Sequence, residues 1–398
     1  MIAKSMKSYV EGGSAIRAMF EEGAKMAAEF GPENVYDFSL GNPSVPAPGA
    51  VGEAIKAIID EEESTYVHGY NQSNSGYEDV RTIIAEKLNQ RHGVSFSAKN
   101  IVMTVGAAGG LNVAFKTLLD PGDEVVAFAP YFVEYKNYAA NYGGVMKTVP
   151  ANTKDFLPDL EKLKEVITEK TKAVIINTPN NPTGVVYSET VPQQLAEILT
   201  QKEKEYGKEI YLISDEPYRE LVYDGVTVPY VTKYYPNTIV GYSFSKSLSL
   251  PGERIGYLVF PPDLADLDNT LMAANIANRI LGFVNAPTLI QRAIARCMDS
   301  KTDIEAYDKN RRMLYEGLTQ QGYSCIKPEG AFYLFVKSPI GDDKEFCNRA
   351  KAHHILLVPG SSFACPGYVR IAYCVSNKTI VNALPKFKAL WEEVQGLE

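Results

Sequence analysis

The stretch SFSKSLSLPGERIGY, residues 243–257, places one lysine and one arginine between two apolar segments. The segment just before it, TIVGY at residues 238–242, is typical of a buried strand, and the Pro-Gly pair at 251–252 indicates a turn. Lys246 can be an ordinary solvated lysine in a surface loop. It can also be an amine at the mouth of a sheet, where burial removes its proton and makes it a nucleophile. The rest of the chain has to decide between these two interpretations.

Seven short apolar segments alternate with segments of helical spacing between about residues 100 and 260. They are apolar almost throughout, as strands covered on both faces are. This alternation predicts an α/β fold with a mostly parallel, doubly wound sheet, in which ligands bind at the carboxyl ends of the strands. The segments are IVMTV (101–105), EVVAFAP (124–130), VMKTVP (145–150), AVIINTP (173–179), IYLISDE (210–216), TIVGYSF (238–244) and IGYLVF (255–260).

The pattern changes in the last third of the chain. A helical segment near residues 308–320 precedes the strand AFYLFVK (331–337), whose alternation predicts one open face. A chain of 398 residues, 45% of them hydrophobic, is too long for one ordinary domain. We therefore predict a large domain of residues 48–285, and a smaller α+β domain of residues 286–398 together with residues 1–47.

Composition argues against several classes of function. The net charge is −8, and no run of Lys and Arg exists that would bind nucleic acid or an anionic membrane. The N-terminal segment lacks the apolar core of a signal peptide, and no apolar run is long enough to span a bilayer. Five cysteines without a C-x-x-C spacing indicate reduced thiols in a cytoplasmic protein. The four histidines have no metal-ligand spacing, so we expect no metal site.

Polar and small residues follow several of the predicted strands. VGAAGGLN (105–112) opens a helix, whose free N–H groups can hold a phosphate, although small residues there also serve close packing. NTPNNPTG (177–184) is a turn by composition, yet its two prolines also suit a loop that must hold an amide in place. SDEPYREL (214–221) puts Asp215 at a strand end. Asp215 can cap the next helix, or it can be a buried carboxylate that pairs with a cationic ring nitrogen.

These motifs together resemble those of a known family. The chain is similar to the class I/II aminotransferases, the aspartate-aminotransferase-like branch of the fold-type-I enzymes that use pyridoxal 5'-phosphate (PLP). SFSKSLSLPGERIG fits the lysine signature of that family, and NNPTG and DEPY stand in its order and approximate spacing. SLGNPSVPAP (39–48) and GYVRIAY (367–373) match its two flanking motifs, so the resemblance covers nearly the whole chain.

The resemblance implies how PLP is held at its ring. Lys246 would bond to the aldehyde of the cofactor, and Asp215 would pair with its protonated pyridine nitrogen, which makes the ring a better electron sink. Asn181 and Tyr218 would hydrogen-bond the phenolic oxygen. Phe132, from PYFVEY, would stack on the ring.

The resemblance also implies a phosphate site. Arg254 and Ser243 would bind the phosphate through their side chains, and Ala107 and Ala108 would do so through backbone N–H groups. Members of the family often have Ser, Thr or Lys in place of these two alanines. Because a lysine there helps some relatives hold a dicarboxylate substrate, we expect no strong preference for aspartate.

A third set of residues is implied to hold the substrate. Arg370 would clamp its α-carboxylate, assisted by Asn181 and the backbone at Gly41. An arginine on an apolar strand is costly unless it meets an anion, although a structural salt bridge would also satisfy it. Tyr70 in HGYNQSNSG is implied to reach the phosphate of the neighbouring subunit, with Tyr66 as the alternative because this segment is one residue longer than usual.

The sequence therefore predicts a cytoplasmic, homodimeric, PLP-dependent aminotransferase. It would move an amino group from an L-amino acid to a 2-oxo acid, which we expect to be 2-oxoglutarate, by a ping-pong mechanism. Two alternatives remain open at this stage. One is a C–S β-lyase on the same fold, and the other is a non-catalytic PLP-binding sensor.

Overall fold

The structure is a computed structural model that describes residues 2–12 and 15–396. Its helices are α1 Lys4–Gly12, α2 Ala15–Phe30, α3 Gly49–Glu61, α4 Ser64–His68, α5 Glu78–His92, α6 Gly106–Leu118, α7 Glu134–Ala140, α8 Leu160–Val166, α9 Thr190–Tyr206, α10 Phe244–Ser247, α11 Leu267–Ile280, α12 Thr288–Arg296, α13 Ile304–Gln320, α14 Asp343–Ala352 and α15 Asn377–Gln395. Its strands are β1 Tyr36–Asp37, β2 Ile101–Thr104, β3 Glu124–Phe128, β4 Val145–Val149, β5 Thr171–Asn177, β6 Tyr211–Asp215, β7 Thr238–Ser243, β8 Gly256–Val259, β9 Tyr333–Lys337, β10 Ile355–Leu356, β11 Val358–Pro359 and β12 Tyr368–Ala372.

A seven-stranded sheet contains all seven of the predicted apolar segments. Its strand order is β2-β8-β7-β6-β5-β3-β4, and β8 runs antiparallel to both of its neighbours. The other pairs are parallel, so the predicted α/β fold with a mostly parallel sheet is confirmed. Five of the seven strands are buried along their whole length, and β5 is buried except at Lys172. β4, at one edge of the sheet, is partly exposed.

The carboxyl ends of three neighbouring strands place polar residues side by side. Asn177 at the end of β5 stands opposite Asp215 at the end of β6, and Asp215 stands opposite Gly241 of β7. Parallel strands in this register end at the same edge of the sheet. The turn after β7 then begins α10, which carries Lys246.

A three-stranded antiparallel sheet, in the order β11-β12-β9, forms a second layer of the structure. The expected open face of β9 is wrong, because Tyr333–Val336 are all buried. Phe335 stacks on Tyr368 with ring centroids 5.1 Å apart and meets the edge of Phe156 at 5.4 Å. The face that alternation predicts to be open therefore packs against aromatic rings from other segments of the chain.

The N-terminal segment joins the part of the structure that contains the three-stranded sheet. β1 pairs in parallel with β10, with Tyr36 opposite Ile355, and Phe38 packs in the same apolar cluster as α13 and α15. The domain boundaries at residues 47/48 and 285/286 stay a prediction. Within the part of the chain that the structure describes, no helix is both long and apolar enough to cross a bilayer.

Candidate functional site

A cavity of about 530 Å³ lies at the carboxyl ends of β5, β6 and β7. Its volume is in the range of small-molecule and cofactor sites. Tyr70 is the one predicted site residue that does not line this cavity. The predicted residues that do line it are Gly41, Ala107, Ala108, Phe132, Asn181, Asp215, Tyr218, Ser243, Lys246, Arg254 and Arg370.

Lys246 stands in the cavity because α10 starts directly after β7. The Ser243 hydroxyl caps this short helix by accepting a hydrogen bond from the Ser245 N–H at 3.2 Å. The Lys246 amine donates to the Gly41 carbonyl at 2.6 Å. Burial lowers the pKa of Lys246 to about 8, and the guanidinium groups of Arg370 and Arg254 also lower it, while the Cys374 thiol opposes them. A mostly buried amine of this kind is not an ordinary solvated lysine, so the surface-loop interpretation is disfavoured.

Gly41 is a position where no side chain fits. A Cβ atom there would lie 2.0 Å from the Tyr333 hydroxyl oxygen, well inside the contact distance. The absence of a side chain lets the backbone at Gly41 approach both the tyrosine and the Lys246 amine.

Asp215 presents one carboxylate oxygen that has no partner among the described residues. Its Oδ2 accepts a hydrogen bond of 2.5 Å from the Tyr135 hydroxyl, whereas Oδ1 is buried without any hydrogen bond. Burial raises the pKa of Asp215 to about 7; the hydrogen bond from Tyr135 opposes this shift and the charge of Glu216 adds to it. The side chain therefore does not cap a helix. An unpaired buried oxygen is costly, so this one is suited to a hydrogen-bond donor that enters the cavity.

The loop after β5 is tied to Asp215 by an asparagine that sequence reasoning missed. Asn177 accepts a hydrogen bond from the Asn181 N–H at 2.7 Å and donates one to the Asp215 carbonyl at 2.8 Å. This fixes the position of Asn181 relative to the end of β6. The sequence feature that could have indicated a role for Asn177 is its position as the last residue of an apolar strand.

Arg370 carries a buried positive charge that no described carboxylate neutralises. Only 2% of the residue is exposed. Its Nη1 donates to Asn181 Oδ1 at 3.1 Å and its Nη2 to the Ser39 carbonyl at 2.5 Å, while Nε has no partner in the described chain. The structural salt bridge that would otherwise explain this arginine is therefore not formed with any described residue. A guanidinium in this setting is suited to an anionic ligand.

Two further tyrosines were also missed: Tyr333, which lines the cavity, and Tyr135, which is not among the lining residues but contacts Asp215. The hydroxyls of Tyr333 and Tyr218 share a hydrogen bond of 2.9 Å, and the Arg370 guanidinium lies 4.5 Å from the centre of the Tyr333 ring. Tyr135 is fully buried against Asp215. Tyr333 is a polar-tipped residue inside an apolar segment, which was its only signal in the sequence. Tyr135 stands between Glu134 and Lys136, where no pattern marks it.

The end of the cavity at the N-terminus of α6 is suited to a phosphate. α6 is a helix of 13 residues that begins at Gly106 and presents Ala107 and Ala108 in its first turn. The first N–H groups of a helix lack partners within it and attract anions. Arg254 lies close to this terminus, because a Cβ on Gly106 would be 2.9 Å from its Nη2. A guanidinium and a helix N-terminus together form an anion site.

Tyr70 does not lie at the cavity of its own chain. It is 89% exposed and lies beside Asn285 and Pro287 at the surface. The alternative, Tyr66, packs its ring on Tyr77 at 4.9 Å and its carbonyl accepts the hydroxyl hydrogen bond of that residue. Tyr70 is thus the more available of the two for contact with another chain.

Known proteins match the chain along nearly its whole length. The family model for aminotransferase class I and II matches residues 33–387. A protein of Thermus aquaticus named probable aspartate/prephenate aminotransferase is 33% identical, over 88% of this chain and 89% of its own. The aspartate aminotransferase of Thermotoga maritima is also 33% identical, over 89% of this chain and 91% of its own. A crystal structure of an amino transferase from Eubacterium rectale is 48% identical, covers 99% of both chains and has a TM-score of 0.96.

Proposed function

Because the chain belongs to the class I and II aminotransferases, and is therefore an enzyme that transfers amino groups, we propose that it does so with PLP in the cavity at the carboxyl ends of β5, β6 and β7. The family resemblance inferred from the sequence motifs is confirmed. The names of the relatives favour amino transfer over both C–S β-elimination and a non-catalytic sensor. The observation that carries the proposal is one cavity that holds a buried lysine, whose pKa burial lowers, and a buried carboxylate oxygen without a partner among the described residues.

The residues present fit PLP at each of its functional groups. The Lys246 amine matches the aldehyde, and the unpaired Oδ1 of Asp215 matches a protonated pyridine nitrogen. Arg254 and the N-terminus of α6 match the phosphate. Phe132 supplies an aromatic wall for the ring. When bound, PLP supplies an electron sink that stabilises negative charge at Cα of the amino acid.

The side chains of this enzyme then have separate tasks. Arg370 and Asn181 bind the α-carboxylate of the amino donor and so fix which bonds at Cα face Lys246. The neutral amine of Lys246 would take the Cα proton as a base and then, as an acid, deliver a proton to the carbon of PLP that carried the aldehyde. The ionised form of Asp215 would balance the positive charge on the pyridine nitrogen of PLP. Tyr218 and Asn181 hold the phenolic oxygen, and Tyr333 orients Tyr218 through their shared hydrogen bond.

The complete reaction moves the amino group from an L-amino acid to a 2-oxo acid, with 2-oxoglutarate as the proposed acceptor. The first product, itself a 2-oxo acid, leaves before the acceptor binds, which gives ping-pong kinetics. The enzyme is further proposed to be a cytoplasmic homodimer. The absence of a disulfide at any of the five described cysteines supports the cytoplasmic location. The exposure of Tyr70 supports the homodimer.

Two inactive variants should restore each other if Tyr70 serves the cofactor of the partner subunit. In a mixture of Lys246→Ala and Tyr70→Ala chains, one site of each hybrid dimer keeps both native residues. With random exchange, about a quarter of all sites should be intact, and activity should return to about that fraction. The assay compares the mixture with each variant alone. Hybrid dimers detected by native mass spectrometry without any recovery of activity would show that Tyr70 acts within one chain or not at all.

A panel of amino donors tests both the reaction and its selectivity. Lys246, Arg254 and Arg370 are the cationic side chains among the described walls of the cavity, and Glu134 adds a carboxylate. We therefore expect kcat/KM for aspartate to exceed that for alanine, methionine or phenylalanine by less than roughly a hundredfold, the discrimination an apolar pocket achieves. The assay uses 2-oxoglutarate as acceptor. A larger preference would mean that the partner subunit contributes a cation, and pyruvate release without an acceptor would point to β-elimination.

A further inference from the structure

A second cavity, of about 610 Å³, lies on the other side of α10 from the first. It is bounded by the C-terminal end of α5, by the segment that follows β6, and by residues 297–304. None of the residues that line it also lines the first cavity. Its volume is likewise in the range of small-molecule sites.

Two elements, α10 and the segment after β6, lie between the two cavities and contribute residues to both. In α10 and the residue before it, Ser243 and Lys246 face the first cavity, while Phe244 and Ser247 face the second. The segment after β6 is divided in the same way. Asp215 and Tyr218 line the first cavity, and the next two residues in the chain, Arg219 and Glu220, line the second.

Glu220 gives the second cavity an unsatisfied acceptor. Its Oε2 is buried and has no hydrogen-bond partner among the described residues. Burial raises the pKa of this carboxyl, while the Tyr242 hydroxyl and the Arg219 guanidinium oppose the shift. Arg219 itself is committed elsewhere, because it pairs with Glu216 and donates to two backbone carbonyls at 2.9 and 3.0 Å. Oε2 of Glu220 therefore lacks a donor among the described residues, and a ligand in the cavity can supply one.

Aromatic rings form the apolar wall next to this acceptor. Tyr242 stacks on Tyr257 with centroids 4.8 Å apart and meets Phe244 edge to face at 5.2 Å. Such rings favour a flat apolar body and tolerate a positive charge. Arg91, another cation in the wall, is partly neutralised by Asp299 and donates to the Met298 carbonyl at 2.5 Å.

We propose that the second cavity binds a small organic molecule with an aromatic body and an amine-like or amidine-like donor, which hydrogen-bonds Glu220. Its occupancy changes the rate of amino transfer, because the ligand contacts the outer side of the four-residue helix that carries Lys246. The binding claim is independent of the proposed function, whereas the rate claim rests on it.

Benzamidine is the probe that tests binding to the PLP-loaded enzyme. It has an aromatic ring and N–H donors, and it lacks both a carboxylate for Arg370 and a primary amine that would react with PLP. Calorimetry should give a Kd below about 1 mM, and Glu220→Gln should weaken binding at least about tenfold, because a charge-assisted hydrogen bond is lost. Glu197→Gln, an exposed glutamate on α9, should leave binding unchanged.

A second variant blocks the cavity without touching Glu220. Ser300 lines it from a segment outside the helices, and a phenylalanine there would fill the space. Ser300→Phe should abolish benzamidine binding and keep the thermal unfolding temperature close to that of the parent. Absence of binding up to about 10 mM, or equal binding in Glu220→Gln and the parent, would overturn the proposed site.

The rate measurement separates the second cavity from the first. At saturating amino donor and 2-oxoglutarate, benzamidine should change kcat by about fivefold, in the range of ordinary couplings between sites. Competition with the amino donor would place the probe in the first cavity and overturn the inference, and an unchanged kcat would overturn the coupling. If the parent enzyme transfers no amino group, the proposed function fails, while calorimetry still decides whether the site exists.

Discussion

Lys246→Ala lowers kcat for amino transfer by a factor on the order of 10³ to 10⁴, because one amine supplies both a covalent contact and the proton transfer at Cα. The burial that lowers the pKa of Lys246 to about 8 is what makes the amine available as a base near neutral pH. Among the residues that the structure describes, no other lysine lines this cavity, so none is placed to take over the task. The rate of a single turnover with saturating amino donor is the measurement.

Two controls separate a chemical role for Lys246 from a structural one. Lys204→Ala, on the exposed side of α9, should keep the parent kcat. Ethylamine added to Lys246→Ala should restore part of the rate, since it returns an amine to the space left by the side chain. Borohydride reduction of the PLP-loaded parent should label Lys246, and a label on any other lysine would contradict the assignment.

Asp215→Asn should lower kcat by about 10² to 10³, the range for loss of one charge stabiliser in a buried site, while PLP remains bound. An amide cannot balance the positive charge on the pyridine nitrogen, so the ring becomes a weaker electron sink. The half-reaction is measured at saturating PLP and amino donor. Rates close to those of the parent would show that Asp215 has no part in the chemistry.

Tyr135→Phe should give a weaker version of the same defect with a distinct pH signature. The Tyr135 hydroxyl lowers the pKa of Asp215, against the burial that raises it to about 7. Without this hydrogen bond the pKa rises further, and a carboxyl with a raised pKa is protonated as the pH falls through that value. The acid limb of the kcat profile should therefore move to higher pH in Tyr135→Phe. It should stay in place in Tyr131→Phe, whose hydroxyl lies 3.3 Å from that of Thr148.

The sequence was most informative for features that the residues of a single segment determine, such as a buried strand or the motif that follows it. The seven apolar segments predicted the large sheet, because strands buried on both faces must be apolar throughout. The motifs at their carboxyl ends predicted the members of the cavity, since parallel strands bring those ends together. Tyr70 lies outside the cavity, and its contact with a partner subunit stays a prediction.

Features that depend on contacts between distant segments could not be predicted. The hydrogen bonds of Tyr135 to Asp215 and of Tyr218 to Tyr333 span 80 and 115 residues. One face of β9 was predicted to be open because the alternation of side chains describes that strand alone. It gives no information on which other segments cover the strand. The second cavity depends on side chains from α5, β7 and the segment before α13, and none of these carries a motif.

The pairing of β1 with β10 joins two segments that are made far apart in time during synthesis. Tyr36 leaves the ribosome 319 residues before its strand partner, Ile355. At about 5 to 20 residues per second, that separation corresponds to roughly 15 to 65 seconds of translation. During this interval β1 has no strand partner, and Phe387, whose ring centroid lies 5.8 Å from that of Phe38, has not been made either. Chaperones and self-association compete for such incompletely covered segments. Arg370, which donates to the Ser39 carbonyl, emerges later still, so the part of the first cavity that it lines is among the last parts of the enzyme to form.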